Sequence, residues 1–151
     1  MENLLNIATI IAGIAGVFTI IFPFVKNHVE NKRYKEYLNL KSKKFQNKIV
    51  KQASKSNKDY FIYRVSSKEI IKEANNYIIF LNYEIENKEN VGKRKKLHKK
   101  INNQVSLLSE LIERNKDIIK NGENNFMQDS NVIEERYLNM SKDINNYFIE
   151  F

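Results

Sequence analysis

Residues 4–25 read LLNIATIIAGIAGVFTIIFPFV, a run of 22 residues without an ionised side chain. As a helix rising about 1.5 Å per residue it is roughly 33 Å long, enough to cross a bilayer core of about 30 Å. Asn6, Thr9 and Thr19 can return hydrogen bonds to such a helix, and Pro23 lies near its exit. The stretch therefore predicts an N-terminal transmembrane anchor, with Leu4, Ile11, Ile14, Val17, Ile21 and Val25 among its apolar residues. A cleaved secretory signal needs a positive start and a shorter apolar core. Here the preceding residues are Met1, Glu2 and Asn3, whose only side-chain charge is negative. A buried helix of the same composition would have to be wrapped on every side by the rest of the chain, whose segments are mostly amphipathic.

Ala8, Ala12 and Gly16 recur every four residues, so they share one helix face on which a second helix can approach closely. This ridge is a candidate self-association surface, and a homo-oligomer is one expected partner. Orientation follows from flanking basic residues. None precedes the stretch, whereas Lys26, Lys32, Arg33, Lys35, Lys41, Lys43 and Lys44 follow it. The expectation is a single-pass protein of the cell membrane with its N-terminus outside and its body in the cytoplasm.

Beyond the anchor, glycine is confined to Gly92 and Gly122, and proline is absent. With so little turn chemistry, a many-stranded sheet is disfavoured and long helices are the natural reading. The fold class expected is all-α: a single N-terminal transmembrane helix followed by an antiparallel bundle of about four helices. Three parts are read: residues 1–25 as anchor, 26–58 as a basic juxtamembrane helix and linker, and 59–151 as the bundle domain.

Within residues 26–55, Tyr34, Leu38, Phe45, Ile49 and Ala53 fall on one helical face, interrupted by Lys41. Residues 60–65, YFIYRV, fit a strand or a helical turn, with helix preferred because no strand partner is visible. Ser66 and Glu69 have the spacing of a capping box, which predicts a helix start there. A third soluble helix is expected over residues 93–120, stopped by Asn121-Gly122. The last is expected to start near Asn131 and to carry its stripe, Ile133, Tyr137, Met140, Ile144, Tyr147 and Phe151, to its end.

No constellation names a reaction. The chain has no cysteine, which excludes disulfides and thiolate chemistry, and its two histidines are 70 residues apart. No cofactor or metal is expected. Arg94 and His98 are spaced too closely to match the arginine–histidine pair of HEPN-type ribonucleases. The chain is therefore read as a non-catalytic interaction or regulatory protein that binds an as yet unspecified protein.

The net charge of +8 is carried by two segments: residues 26–58 have 11 basic and two acidic residues, and residues 93–100 have six basic and none acidic. Lys26, Lys32, Arg33 and Lys35 in the first, with Lys93, Arg94, Lys95, Lys96, Lys99 and Lys100 in the second, are candidates for contact with anionic lipid headgroups. Nucleic acid is the alternative, since Arg33-Tyr34-Lys35 and Tyr60 to Arg64 interleave basic and aromatic groups. The layout of anchor plus small helical body resembles that of small bacterial phage-resistance and abortive-infection proteins, which implies a membrane-acting effector as a further alternative. Abundant Asn, Lys, Ile and Tyr fit an AT-rich bacterial or phage genome.

Overall fold

A computed structural model describes the backbone of residues 2–54, 60–86, 95–124 and 130–151, and within these the side chains of residues 19, 21–54, 63–86, 95–120 and 134–151. Among the described residues all regular structure is helical: α1 (Glu2–Ala53), α2 (Tyr60–Glu86), α3 (Lys95–Asn124), α4 (Ser130–Asp143) and a 3-10 turn over Ile144–Tyr147. The chain divides into two compact units, Met1–Leu38 and Asn39–Phe151.

In the first unit, the expected anchor and the basic segment after it form one helix, with Pro23 inside it. Tyr34 and Leu38 are buried as their spacing predicts, and the Tyr34 and Tyr37 rings stack at 6.2 Å.

The second unit is a helical bundle whose helix directions can be read from its pairings. Phe45 stacks on Tyr77 at 4.7 Å and Lys48 Nζ meets Glu73 at 3.0 Å, so the bundle part of α1 and α2 run antiparallel. Gln46 donates to Asn145 at 3.0 Å and the Tyr137 hydroxyl donates to the Gln52 carbonyl at 3.1 Å, which sets the C-terminal residues antiparallel to α1 as well. The α3 helix packs chiefly on α2. The core takes its fully enclosed residues from every helix, including Ile49, Ile70, Leu81, Ile101, Leu108 and Tyr137.

Helix α1 ends without a glycine. Its last carbonyls, which a helix cannot pair internally, accept hydrogen bonds from α4: Gln52 from Tyr137 and Ala53 from the Ser141 hydroxyl at 3.1 Å.

Two local expectations give way to packing, while the helix preferred for residues 60–65 is borne out. Helix α2 starts at Tyr60, so 60–65 is helical and Ser66 lies inside the helix, 2% exposed, rather than capping it. Tyr63 stacks on Tyr137 at 4.6 Å, and this burial extends the helix upstream of the local cap signal. Helix α3 runs through Asn121-Gly122 to Asn124. No glycine among the described residues has positive φ, so Gly122 does not form a left-handed cap, and its place near a helix end costs at most about 1 kcal/mol.

The largest departure is at the C-terminal end. The expected stripe is buried at Tyr137, Met140, Ile144, Tyr147 and Phe151, but the α-helix stops at Asp143. A 3-10 turn follows, and Phe148 is extended with φ −124° and ψ 134°. The spacing of three from Ile144 to Tyr147 suits a 3-10 turn, and side chains from other helices then take over the backbone hydrogen bonds.

Candidate functional site

Two regions stand out. The first is the described part of the apolar run. Every residue from 21 to 30 is exposed, and Ile21, Phe22, Phe24 and Val25 show 51%, 65%, 74% and 53% of their surfaces. Five consecutive residues at 100° steps, 21–25, surround the helix, so this segment is apolar on all sides. Fully burying a large apolar side chain is worth about 1.5–3 kcal/mol, which makes such exposure to water unfavourable. Among the described residues no helix is long and apolar enough to cross a membrane. The side chains of residues 4–18, with the anchor residues Leu4, Ile11, Ile14 and Val17 and the ridge Ala8, Ala12 and Gly16, lie outside the described residues.

Basic residues follow at once. Lys26, Lys32, Arg33 and Lys35 are exposed and form no ion pair among the described residues. In the second unit Lys95, Lys96 and Lys99, at the start of α3, are likewise exposed and unpaired among the described residues. Lys93 and Arg94 lie outside the described residues. Ion pairs lie elsewhere, among them Lys48–Glu73, Lys72–Glu69, Arg114–Glu110 and Lys116–Glu113. His98 Nδ1 lies 3.2 Å from Asn102 Nδ2, and among the described residues no group of His, Asp and Glu could hold a metal ion.

The second region is a cleft formed by side chains of α1 and α3, in which residues 148–151 are held after the 3-10 turn, with Phe148 extended. Two carboxamides grip the backbone of this segment. Gln104, fully buried, donates from Nε2 to the Tyr147 carbonyl at 2.7 Å and accepts the Ile149 N–H on Oε1 at 2.8 Å. Asn39 accepts the Phe151 N–H on Oδ1 at 2.7 Å and reaches the Phe151 carbonyl with Nδ2 at 3.5 Å. Lys100 Nζ donates to the Glu150 carbonyl at 2.8 Å.

Aromatic contacts complete the cleft. Phe148 stacks on Tyr77 at 6.3 Å, and Tyr77 also stacks on Phe45 and on Phe80, which lie 6.1 Å from each other. The Arg114 guanidinium lies over the Tyr147 ring at 5.6 Å, and Phe151 is 7% exposed. Burial pushes the Tyr77 phenol up to about 12, against a smaller opposite effect of the Ser42 hydroxyl beside it. Burial also raises Tyr137 and Tyr147.

The structure thus brings Lys100 of the second basic segment to the C-terminal residues. The sequence reading missed Asn39, Gln104 and Phe148. One signal was available for Gln104: it sits on the apolar stripe of α3, three residues after Ile101 and four before Leu108, where a polar side chain needs a buried partner.

Comparison with family models, with curated proteins and with solved structures finds no match to this chain.

Proposed function

We propose that the chain is a membrane-anchored binding protein, inserted through residues 4–25 with its N-terminus outside, whose helical body faces the cytoplasm and works by recruiting a protein partner rather than by catalysis. The observation that carries this reading is the all-round exposure of residues 21–25 at the end of an uncharged run, followed directly by unpaired Lys26. Lipid would cover these side chains and remove their cost in water. A proline inside a helix costs about 3 kcal/mol in water, and spanning helices tolerate it because neighbouring groups re-satisfy the freed backbone. That accommodates Pro23.

Lys26, Lys32, Arg33 and Lys35 fall within about 15 Å of Val25 along the helix. Near an anionic leaflet each basic residue contributes about 1 kcal/mol, falling away over a Debye length of about 8 Å. The first of them is the best placed to hold the helix at the inner surface.

Nucleic-acid binding fits less well. Stacking on bases needs exposed aromatic faces. Tyr34, between Arg33 and Lys35, and Tyr63, beside Arg64, are both buried.

Alkaline extraction of membranes from cells expressing the full chain tests the anchor. The parent should stay with the lipid pellet, and Ile11→Arg combined with Ile14→Arg should move the protein to the supernatant, because each arginine near the centre of a span costs about 3 kcal/mol. Release of the parent under the same treatment would refute the anchor.

A further inference from the structure

The apolar spacing of Ile144, Tyr147 and Phe151 suits a continued helix, yet the chain leaves the helix, turns extended at Phe148 and passes through the cleft without regular structure. What it gains there is recognition of its main chain. Gln104 satisfies a carbonyl and an N–H two residues apart, and Asn39 does the same for both backbone groups of Phe151. Contacts of this kind read the backbone of an extended peptide, while pockets beside them read alternate side chains, as in other extended-peptide sites. Here Phe148 and Phe151, three apart, supply the aromatic groups, one on Tyr77 and one buried.

Charge adds a third criterion. Glu150 is the one charged side chain of residues 147–151, and its carbonyl is held by Lys100. On the same helix start Lys95, Lys96 and Lys99 are exposed without an ion pair among the described residues.

We propose that this cleft is a peptide-binding site for an extended, acidic segment of a protein partner bearing aromatic residues three apart, and that residues 147–151 are its resident occupant, displaced when the partner binds. The inference deepens the reading of the chain as a binding protein by giving the chemistry of its partner. It does not depend on the anchor, so either can fail without the other.

The test is amide hydrogen exchange on the full chain in non-ionic detergent, titrated with the synthetic peptide Tyr-Phe-Ile-Glu-Phe. A tethered segment competes at an effective concentration on the order of millimolar, so the titration must reach several millimolar. Exchange at the Ile149 and Phe151 amides should accelerate at least about tenfold and saturate, with core amides such as Leu108 unchanged. The full-length double variant Phe148→Ala, Phe151→Ala should bind the peptide at least about tenfold more tightly than the parent. Should that variant lose its helical signal, the exchange experiment on the parent decides alone. Unchanged exchange at several millimolar peptide, or acceleration throughout the bundle, would overturn the proposal. So would release of the segment by a single-stranded oligonucleotide and not by the peptide, which would return the cleft to nucleic acid.

Discussion

Asn39 and Lys100 hold opposite sides of one peptide group: Asn39 Oδ1 accepts the Phe151 N–H at 2.7 Å, and Lys100 Nζ donates to the Glu150 carbonyl at 2.8 Å. The two side chains come from helices α1 and α3, so the Glu150–Phe151 peptide group links the helix that opens the bundle to the one carrying the second basic segment. Upstream, within the core, Gln104 bridges the two peptide groups that flank Phe148. The extended segment is thereby fastened by side chains where a helix or a strand would be fastened by main chain.

Gln104 is the most sensitive of these positions. Replacing it with Ala leaves a buried carbonyl and a partly buried N–H without partners, at about 1–3 kcal/mol each. Urea unfolding should show a loss of about 2–3 kcal/mol or more for Gln104→Ala. The same change at Asn39, which is only partly buried, should cost less.

A charge variant at the same site makes a pH prediction. Gln104→Glu places a carboxyl in a buried site beside the Tyr147 carbonyl, which raises its folded pKa above the unfolded value of about 4.3. The neutral acid can donate as the amide does. Stability is therefore complete below the unfolded value and lost as pH rises through the folded one. Unfolding midpoints of Gln104→Glu should approach the parent in acid and fall below Gln104→Ala near neutrality.

The buried tyrosines set the alkaline limit. Burial raises Tyr63, Tyr77, Tyr137 and Tyr147, with the Glu134 charge adding at Tyr63, and Tyr77 reaches about 12. The folded state keeps these phenols protonated. Their contribution is whole below the unfolded value of about 10 and is lost as pH climbs through the folded values. Helical circular dichroism should hold to about pH 9.5 and decline from about pH 10 to 12, and Tyr77→Phe should retain more helix than the parent at pH 11.

Tyr137 and Ser141 act together on the end of α1. Tyr137→Phe and Ser141→Ala should each lower stability by about 1 kcal/mol, the usual net value of one hydrogen bond. Hydrogen exchange at the last turn of α1 should rise in both, with less change at the centre of α3.

The helical class and most of the core were legible in the sequence, because periodicity reports burial directly. Leu38, Ile49, Tyr77, Leu108 and Tyr137 fall where their spacing places them. Boundaries were less legible. Ser66 and Glu69 carry a sound local cap signal, but stacking of Tyr63 on Tyr137, 74 positions away, outweighs it. Periodicity predicted burial of Tyr147 and Phe151 and gave no hint that the backbone there is extended, since that conformation depends on Asn39 and Gln104, which lie far away in the chain. The two basic segments were legible as charge runs, whereas the contact of Lys100 with the Glu150 carbonyl was not. Local pattern reports which face is buried; it does not report which partner meets it.

Membrane insertion with an inward body is tested by protease access to a C-terminal tag on the full chain, in intact spheroplasts and then after lysis. The tag should survive in intact spheroplasts and be digested once they are lysed, with the protein in the membrane fraction throughout. Digestion in intact spheroplasts would contradict the inward orientation set by Lys26, Lys32, Arg33 and Lys35, and recovery of the protein in the soluble fraction would contradict the anchor itself.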